Sequence, residues 1–235
     1  MNEFLGGKAQ QPLPPSLAVN EDKINDFVKN CQSICHRILE MFAIGLEIEQ
    51  SQGGSNWFAP RHDSKLGQSG SVFRLLYYPK LPDDLVHSEN DLRCGSHSDY
   101  GTLTLLFQHE GQPGLEILTD AETDSWAPIP VNPTGEPSTP ILVNVGDLLS
   151  FWTNGVLKSA VHRVTLPDPR LGEVAQDRYS IAYFCHPLDT AKLEPVPSKT
   201  VQQHRPETNI STQASHDNVM TAREHLESRL QATYQ

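Results

Sequence analysis

The chain has 235 residues, of which 37% are hydrophobic and 20% are charged, and its formal net charge is −11 at pH 7. This length suffices for one substantial domain with its own hydrophobic core. The acidic balance, without a cluster of Lys and Arg, argues against nucleic acid as a partner and favours a small-molecule ligand. No apolar run approaches the about 20 residues that span a bilayer, and the first residues lack the apolar stretch of a secretory signal, so we expect no membrane partner.

The four cysteines form no Cys-x-x-Cys pair and show no zinc-finger spacing. Cys31 and Cys35 lie one helical turn apart, which is poor geometry for a disulfide and common for buried thiols. We therefore expect Cys31, Cys35, Cys94 and Cys185 to be reduced, which is typical of a cytoplasmic protein. The sequence carries no signal of the oligomeric state.

Helical patterns lie near both ends of the chain. Residues 1–19 are rich in Pro, Gly and Gln and are expected to be irregular. Within 20–45 the apolar residues recur at three- and four-residue spacing, which predicts an amphipathic helix. Asn20 is a suitable N-cap residue and Gly45 is a suitable terminator. A second helical pattern covers about 219–230.

A polar stretch rich in Gly and Ser, residues 51–70, predicts a loop, and short strand-like runs follow it. These runs are rich in β-branched, aromatic and aliphatic residues and cover 71–78, 102–108, 115–118, 141–145, 148–152, 157–164 and 179–184. The dipeptide Asn154-Gly155, between the fifth and sixth runs, predicts a two-residue hairpin. Many short strands without interleaved helices favour a sandwich or barrel over a parallel α/β sheet, with a core over about 71–186.

One short segment carries a metal-ligand pattern, namely His97 and Asp99 within Gly-Ser-His-Ser-Asp. In an extended chain residues i and i+2 point to the same side, so the imidazole and the carboxylate can face one point. A second histidine from another strand would complete the 2-His-1-carboxylate site of non-haem Fe(II) oxygenases, which leaves coordination positions open. Structural zinc would instead take four protein ligands. A His-x-Asp pair alone also occurs in surface turns, so the third ligand is decisive.

His162 is the best-placed third ligand among the ten histidines. It lies in the apolar run that follows the Asn-Gly turn, flanked by Val161 and Val164. His186, which precedes a proline at a strand end, is the second choice. The others belong to helical patterns or polar loops, and they are His36, His62, His87, His109, His204, His216 and His225. A strand histidine with apolar neighbours is also a common core residue, so the assignment of His162 depends on the remaining motifs.

A further pair follows His162 by sixteen residues, in Arg178-Tyr-Ser180 at the last strand-like run. Alternate residues share one strand face, so the Arg178 guanidinium and the Ser180 hydroxyl can converge. An arginine fork binds a carboxylate through two hydrogen bonds and a hydroxyl adds a third, which suits a dicarboxylate ligand. An arginine in a surface salt bridge is the alternative interpretation.

In combination these motifs resemble the Fe(II)/2-oxoglutarate-dependent dioxygenases related to isopenicillin N synthase. The matching segments appear in the family's order and, with both helical patterns, cover most of residues 12–235; they are residues 74–79, 95–108, 114–118, 143–164 and 178–184. The similarity is greatest to fungal and bacterial oxygenases of small molecules. The resemblance implies a double-stranded β-helix, or jelly roll, that is mainly β with flanking helices and is formed by residues 20–235 as a single domain.

The resemblance implies His97, Asp99 and His162 as the ligands of Fe(II) and the centre of catalysis. With dioxygen, an enzyme of this kind couples the oxidative decarboxylation of 2-oxoglutarate to the oxidation of a small organic molecule. Hydroxylation is the default outcome, and secondary metabolism is the expected setting.

The resemblance also concerns the cosubstrate and the front of the chain. Arg178 and Ser180 would bind the distal carboxylate of 2-oxoglutarate, and Tyr78 would help to hold it. Many plant members carry Asn two positions before that tyrosine, where this chain has Leu76, so an amide contact is lost or supplied elsewhere. Members usually also have a long segment before the position that matches Met1, and it walls the substrate pocket. We expect a chain without that segment to bind substrate poorly and to expose strand edges.

Three other functions remain open. An oxidase of the same fold that does not use 2-oxoglutarate, as isopenicillin N synthase does not, also carries Arg-x-Ser, and succinate release would distinguish it. A truncated, catalytically silent binding protein would be revealed by its metal content and by its failure to consume 2-oxoglutarate. A cupin-like zinc protein is disfavoured because the ligand set has one carboxylate and leaves positions open. Candidate pocket residues from position alone, each of which also suits packing or surface, are Phe58, Arg61, His62, Phe73 and Trp152.

Overall fold

The computed structural model describes residues 4–5, 8–9, 12–81, 92–166, 176–204 and 219–234 of the chain. Before residue 20, where an irregular segment is predicted, it has two paired short strands, β1 (Phe4–Leu5) and β2 (Lys8–Ala9), and a short helix, α1 (Pro15–Ala18). The long helix α2 follows at Glu21–Gly45. Asn20 occupies the N-cap position, but its side chain makes no capping hydrogen bond.

Two four-stranded antiparallel sheets face each other and form the body of the protein. The first consists, in spatial order, of β3 (Val72–Tyr78), β10 (Arg178–Cys185), β5 (Leu103–Gln108) and β8 (Leu142–Val145). The second consists of β4 (Leu92–His97), β9 (His162–Thr165), β6 (Leu115–Asp120) and β7 (Ser125–Pro128). This arrangement confirms the predicted jelly roll with flanking helices. The sequence pattern predicts neither β4 nor β7.

Helix α2 covers the outer face of the first sheet and forms the main hydrophobic core with it. The buried positions of α2 recur along one face of the helix and are Asn25, Val28, Cys31, Cys35, Leu39 and Ala43. Burial raises the pKa of the Cys31 thiol to about 12. A hydrogen bond with Cys185 of β10, together with burial, raises the pKa of Cys35 as well. Both thiols are therefore protonated, and all four cysteines are free.

Residues 148–152, where a strand is predicted, form helix α3 (Asp147–Trp152) instead. Leu148, Leu149 and Trp152 are all buried, and their spacing places them on one face of a helix. The strand prediction is wrong because a short, continuous apolar run has no periodicity that separates a buried strand from a buried helix.

The Asn154-Gly155 turn has the predicted backbone but a different place in the fold. Its two residues have φ of 53° and 79°, the left-handed region that Asn and Gly tolerate. The Gly155 N–H donates to the Ser150 carbonyl of α3 at 2.8 Å, so the pair ends a helix and does not join two strands. The strand predicted over 157–164 forms only at its end, as β9.

The predicted loop over 51–70 carries short stretches of 3-10 helix that place aromatic side chains in the core. These stretches span Gln50–Gln52, Gly54–Asn56 and Ala59–Arg61. Trp57 and Phe58 between them are buried, and their rings lie 5.2 and 5.7 Å from the ring of Trp152. The loop is thus anchored to α3 by edge-on aromatic contacts.

Two helices complete the described part of the chain, α4 (Lys199–Gln203) and α5 (Ala222–Tyr234). Helix α5 packs beside α3. The Thr233 hydroxyl of α5 also lies 2.6 Å from the hydroxyl of Tyr100, which belongs to the loop after β4. Among the described residues, no helix combines the length and the apolar character that a membrane span requires.

The close approach of Gly146 to the loop after β4 gives a test of this packing. A Cβ at Gly146 would meet the carbonyl group of Gly101 and, at 2.9 Å, the carbonyl oxygen of Asp99. Because these are backbone atoms, we expect Gly146→Ala to destabilise the fold by about 2 kcal/mol or more, measured by thermal unfolding. Gly45→Ala is the control, since a Cβ there meets nothing within 4 Å. Equal melting temperatures for Gly146→Ala and wild type would contradict the close approach.

Candidate metal centre

Three side chains of the predicted metal site converge at one end of the cavity between the sheets. The candidate ligand atoms of His97, Asp99 and His162 all lie within 4.8 Å of one another. His97 ends β4 and pairs in register with His162 of β9, which brings the two imidazoles side by side. Asp99 Oδ1 is 3.8 Å from His97 Nε2 and 3.7 Å from His162 Nε2. Two strands of the second sheet thus present both histidines and, two residues on, the carboxylate.

Backbone carbonyls fix the orientation of both imidazoles. His97 Nδ1 lies 2.8 Å from the Gly95 carbonyl oxygen, and His162 Nδ1 lies 3.0 Å from the Ala160 carbonyl oxygen. A carbonyl oxygen can only accept, so each Nδ1 carries a proton, and Nε2 is the ring nitrogen that remains to bind a metal ion. This is how metal-binding histidines are commonly oriented in proteins.

Two residues of the first sheet hydrogen-bond the carboxylate of Asp99. Its Oδ2 accepts hydrogen bonds from the Thr104 hydroxyl at 2.6 Å and from Asn144 Nδ2 at 2.8 Å. Thr104 and Asn144 are paired neighbours on β5 and β8. Asp99 Oδ1 is left to face the two imidazoles, and the Asp99 side chain is only 5% exposed. Neither Thr104 nor Asn144 is predicted from the sequence, where the only signal is that each alternates with apolar residues in a strand.

Asp147 connects the segments that carry the three candidate ligands. Its carboxylate accepts from the Ser98 hydroxyl at 2.9 Å and from the Ser159 hydroxyl at 2.7 Å. Ser98 lies between His97 and Asp99, and Ser159 precedes the carbonyl that orients His162. The Asp147 N–H also donates to the Asp99 carbonyl oxygen at 2.7 Å. Arg229 of α5 completes the cluster with an ion pair to Asp147 at 2.7 Å.

Cys94 adds a thiol beside His97. Cys94 Sγ lies 3.8 Å from His97 Nδ1. The hydrogen bond with this thiol, helped by the Gly95 carbonyl, raises the pKa of His97 to about 9. The same contact lowers the pKa of Cys94. A metal ligand must be deprotonated at the donor atom, so an ion that binds here displaces a proton from His97.

The donor set fits a divalent metal ion of the first transition row. Imidazole nitrogen and carboxylate oxygen suit Fe(II), and three ligands leave coordination positions for other molecules. The three candidate donor atoms, all within 4.8 Å of one another, are close enough that one ion could be held by all of them. His186, the second choice for the third ligand, is buried outside the cluster, and burial lowers its pKa to about 4.

A buried guanidinium occupies the other end of the cavity. Arg178 is 2% exposed, and its two terminal nitrogens lie 3.1 Å from Gln108 Oε1 and 3.5 Å from Ser180 Oγ. Its Nε has no hydrogen-bond partner among the described residues, and burial lowers the pKa of the group. Tyr78 is the paired neighbour of Arg178 on β3, with its ring 5.7 Å from the guanidinium. A buried cation without a carboxylate partner is costly, so this end of the cavity suits an anionic ligand.

The cavity has a volume of about 400 Å³ and is lined by both sheets. The walls between the metal cluster and Arg178 are mainly aliphatic, with Leu106, Ile117 and Leu142 among them. The five pocket residues suggested from position alone do not line it, so that suggestion is wrong. Phe58 and Trp152 belong to the core under α2, and His62 hydrogen-bonds the Thr102 hydroxyl at 3.0 Å.

A jelly roll with two histidines and one carboxylate at the mouth of a strand-lined cavity has the composition of a non-haem Fe(II) oxygenase site. Residues 69–187 match the family model of the 2OG-Fe(II) oxygenase superfamily. The chain therefore belongs to this family, as its resemblance implied.

Relatives with assigned names are mostly fungal. "Proline hydroxylase buaE" of Petromyces alliaceus is 34% identical over 97% of this chain and 66% of its own length. "2-oxoglutarate-dependent dioxygenase htyE" of Aspergillus rugulosus is 35% identical over 83% of this chain and 57% of its own length. "UPF0676 protein C1494.01" of Schizosaccharomyces pombe is 36% identical over 78% of this chain and 51% of its own length. The chain thus matches between about half and two thirds of the length of these relatives.

Solved structures show the same architecture. A full-length Neurospora crassa protein, crystallised in complex with alpha-KG and thymine, superposes with a TM-score of 0.71 at 30% identity, over 96% of this chain and 60% of that one. A 2OG-Fe(II) oxygenase family protein from Caulobacter crescentus superposes with a TM-score of 0.70 at 28% identity, over 99% of this chain and 65% of that one.

The contacts of Asp147 predict a supporting role for this side chain at the metal site. We expect Asp147→Ala to weaken Mn(II) binding about tenfold or more, since it frees Ser98, Ser159 and Arg229 together. Asp147→Asn keeps one acceptor oxygen for one hydroxyl, and its amide N–H can donate to the oxygen of the other, so it should retain more of the affinity than Asp147→Ala although it loses the ion pair with Arg229. Titration calorimetry measures the affinity, with melting curves of the metal-free proteins alongside. Lower stability of Asp147→Ala with unchanged metal affinity would contradict the prediction.

Proposed function

We propose that this protein is a 2-oxoglutarate-dependent Fe(II) dioxygenase that oxidises a small organic molecule, by default through hydroxylation. The observation that carries the proposal is the cavity with a metal-ligand cluster at one end and, at the other, the buried guanidinium of Arg178, which has no carboxylate partner among the residues that the structure describes. Membership of the 2OG-Fe(II) oxygenase superfamily supports it.

Fe(II) would be held by His97 Nε2, Asp99 Oδ1 and His162 Nε2. When bound with 2-oxoglutarate, the metal supplies dioxygen activation for the oxidation of a C–H bond, with succinate and carbon dioxide as coproducts. The protein's own part is placement. The Gly95 and Ala160 carbonyls accept from the two Nδ1 atoms and so direct both Nε2 atoms at the metal, while Thr104 and Asn144 hold the carboxylate in place.

Arg178 would bind the distal carboxylate of 2-oxoglutarate. Its planar fork suits two parallel hydrogen bonds to a carboxylate, and Ser180 and Tyr78 lie beside it to donate from their hydroxyls. Leu76, which stands where many plant members have an amide, lines the same wall and offers only apolar contact. Aliphatic side chains around the ligand exclude water and so strengthen the ionic contacts.

An oxidase of the same fold that does not use 2-oxoglutarate is the second candidate. The geometry favours the 2-oxoglutarate enzyme because Arg178 has no carboxylate partner among the described residues, and a dicarboxylate would supply one. The names of the fungal relatives support a small-molecule substrate and a place in secondary metabolism. We also propose that residues 20–235 form one domain and that the protein is cytoplasmic, which its free cysteines support.

The metal assignment is tested by Asp99→Ala. We expect this variant to lose most of its bound Fe(II), measured per chain under argon, because two imidazoles alone chelate weakly. Asp26→Ala is the matched control, since Asp26 is an exposed residue of α2 that pairs with Lys29 at 3.3 Å. Full iron content in Asp99→Ala would refute the assignment, and melting curves of the metal-free proteins check that both variants fold.

The cosubstrate assignment is tested by Arg178→Lys. Lysine keeps the charge but loses the fork, so we expect the Kd for 2-oxoglutarate to rise at least about tenfold, or about 1.4 kcal/mol, with iron content unchanged. The Kd is measured by calorimetry on the Fe(II)-loaded protein under argon, and Arg223→Lys on the exposed face of α5 is the control. An unchanged Kd would favour the oxidase that does not use 2-oxoglutarate, and succinate formation provides the second measurement.

A further inference from the structure

The cavity contains a second arginine that the proposed cosubstrate does not use. Along β3, Arg74, Leu76 and Tyr78 alternate onto the cavity side. Tyr78 pairs in register with Arg178, whereas Arg74 pairs with Ala182, two rows further along the sheet. Arg74 therefore lies between the Arg178 end of the cavity and the row of Thr104, which holds Asp99.

Arg74 has no acidic partner within the described part of the chain. Its guanidinium lies 5.3 Å from the centre of the Phe184 ring, and no hydrogen bond or ion pair is found for it among those residues. Two arginines outside the cavity are paired, since Arg163 pairs with Glu116 at 2.7 Å and Arg229 pairs with Asp147. An arginine stacked on an aromatic ring keeps its N–H edge free, and that edge suits a carboxylate.

With Fe(II) and 2-oxoglutarate bound, the positive charge of Arg74 would have no counter-charge in the cavity lining among the described residues. Two positive charges of Fe(II) and one of Arg178 are neutralised by Asp99 and the two carboxylates of 2-oxoglutarate when both histidines are neutral. The cavity lining among the described residues contains no other carboxylate. One positive charge, that of Arg74, therefore remains; its side chain is exposed and solvated until an anion binds, and nothing in that lining would pair with a cationic substrate.

We propose that Arg74 binds a carboxylate of the molecule that is oxidised, so that the substrate class is a largely apolar monocarboxylic acid. Phe184 holds the guanidinium in place by stacking. The aliphatic wall of Leu106, Ile117 and Leu142 contacts the rest of the substrate beside the metal ligands. This inference rests on the proposed function, because 2-oxoglutarate must occupy Arg178 for Arg74 to be the free cation.

The test compares matched probes, 4-phenylbutanoate, 4-phenylbutanamide and 4-phenylbutylamine, on the full chain loaded with Mn(II) and saturating 2-oxoglutarate. Equilibrium dialysis measures each Kd without turnover. We expect the carboxylate to bind at least about fivefold more tightly than the amide, as a charge-assisted contact implies, and the amine to bind most weakly. In Arg74→Gln the preference for the carboxylate should disappear, and Arg74→Lys should restore part of it. Arg223→Gln is the control variant.

The result that overturns the proposal is equal or undetectable binding of carboxylate and amide to wild type, or a carboxylate preference that survives in Arg74→Gln. The Kd for 2-oxoglutarate should be the same in Arg74→Gln and wild type. If wild type does not bind 2-oxoglutarate at all, the proposed function fails. If it binds 2-oxoglutarate but shows no dependence on Arg74, only the substrate class fails.

Discussion

The site depends on one carboxylate that belongs to both sheets. Asp99 follows a strand of the second sheet, yet its Oδ2 is held by Thr104 and Asn144 of the first. Its other oxygen meets the two histidines of the second sheet. This one side chain therefore links the two sheets at the metal cluster, and it directs Oδ1, the third candidate ligand atom, towards the two histidines. Each carboxylate oxygen thus has its own contacts, and the Asp99 side chain is only 5% exposed.

The charged and metal-binding groups of the cavity lie where the proposed ligands would need them. The metal cluster and Arg178 lie at opposite ends, and aliphatic residues separate them. The two arginines differ in burial, since Arg178 is 2% exposed and Arg74 lies open to solvent. A buried cation without a carboxylate partner is costly, so Arg178 needs an anionic ligand more than the solvated Arg74 does.

The sequence predicted what local chemistry determines. His97 and Asp99 are two residues apart, and the period of a strand places them on one side. Thr104, Asn144 and Asp147 could not be predicted, because their roles arise from pairing across sheets and loops that one sequence does not reveal. The error at residues 148–152 has a different origin, since Leu148, Leu149 and Trp152 are buried in a run too short to show a helical period.

The ion pair between Asp147 and Arg229 can form only after α5 has been synthesised. Chains fold from the N-terminus as they leave the ribosome, so both sheets are synthesised before α5. Until α5 docks, Asp147 lacks its counter-ion, and the loops that carry His97, Asp99 and His162 lack one of their stabilising contacts. The metal site therefore acquires its final stiffness only after α5 has been synthesised and has docked.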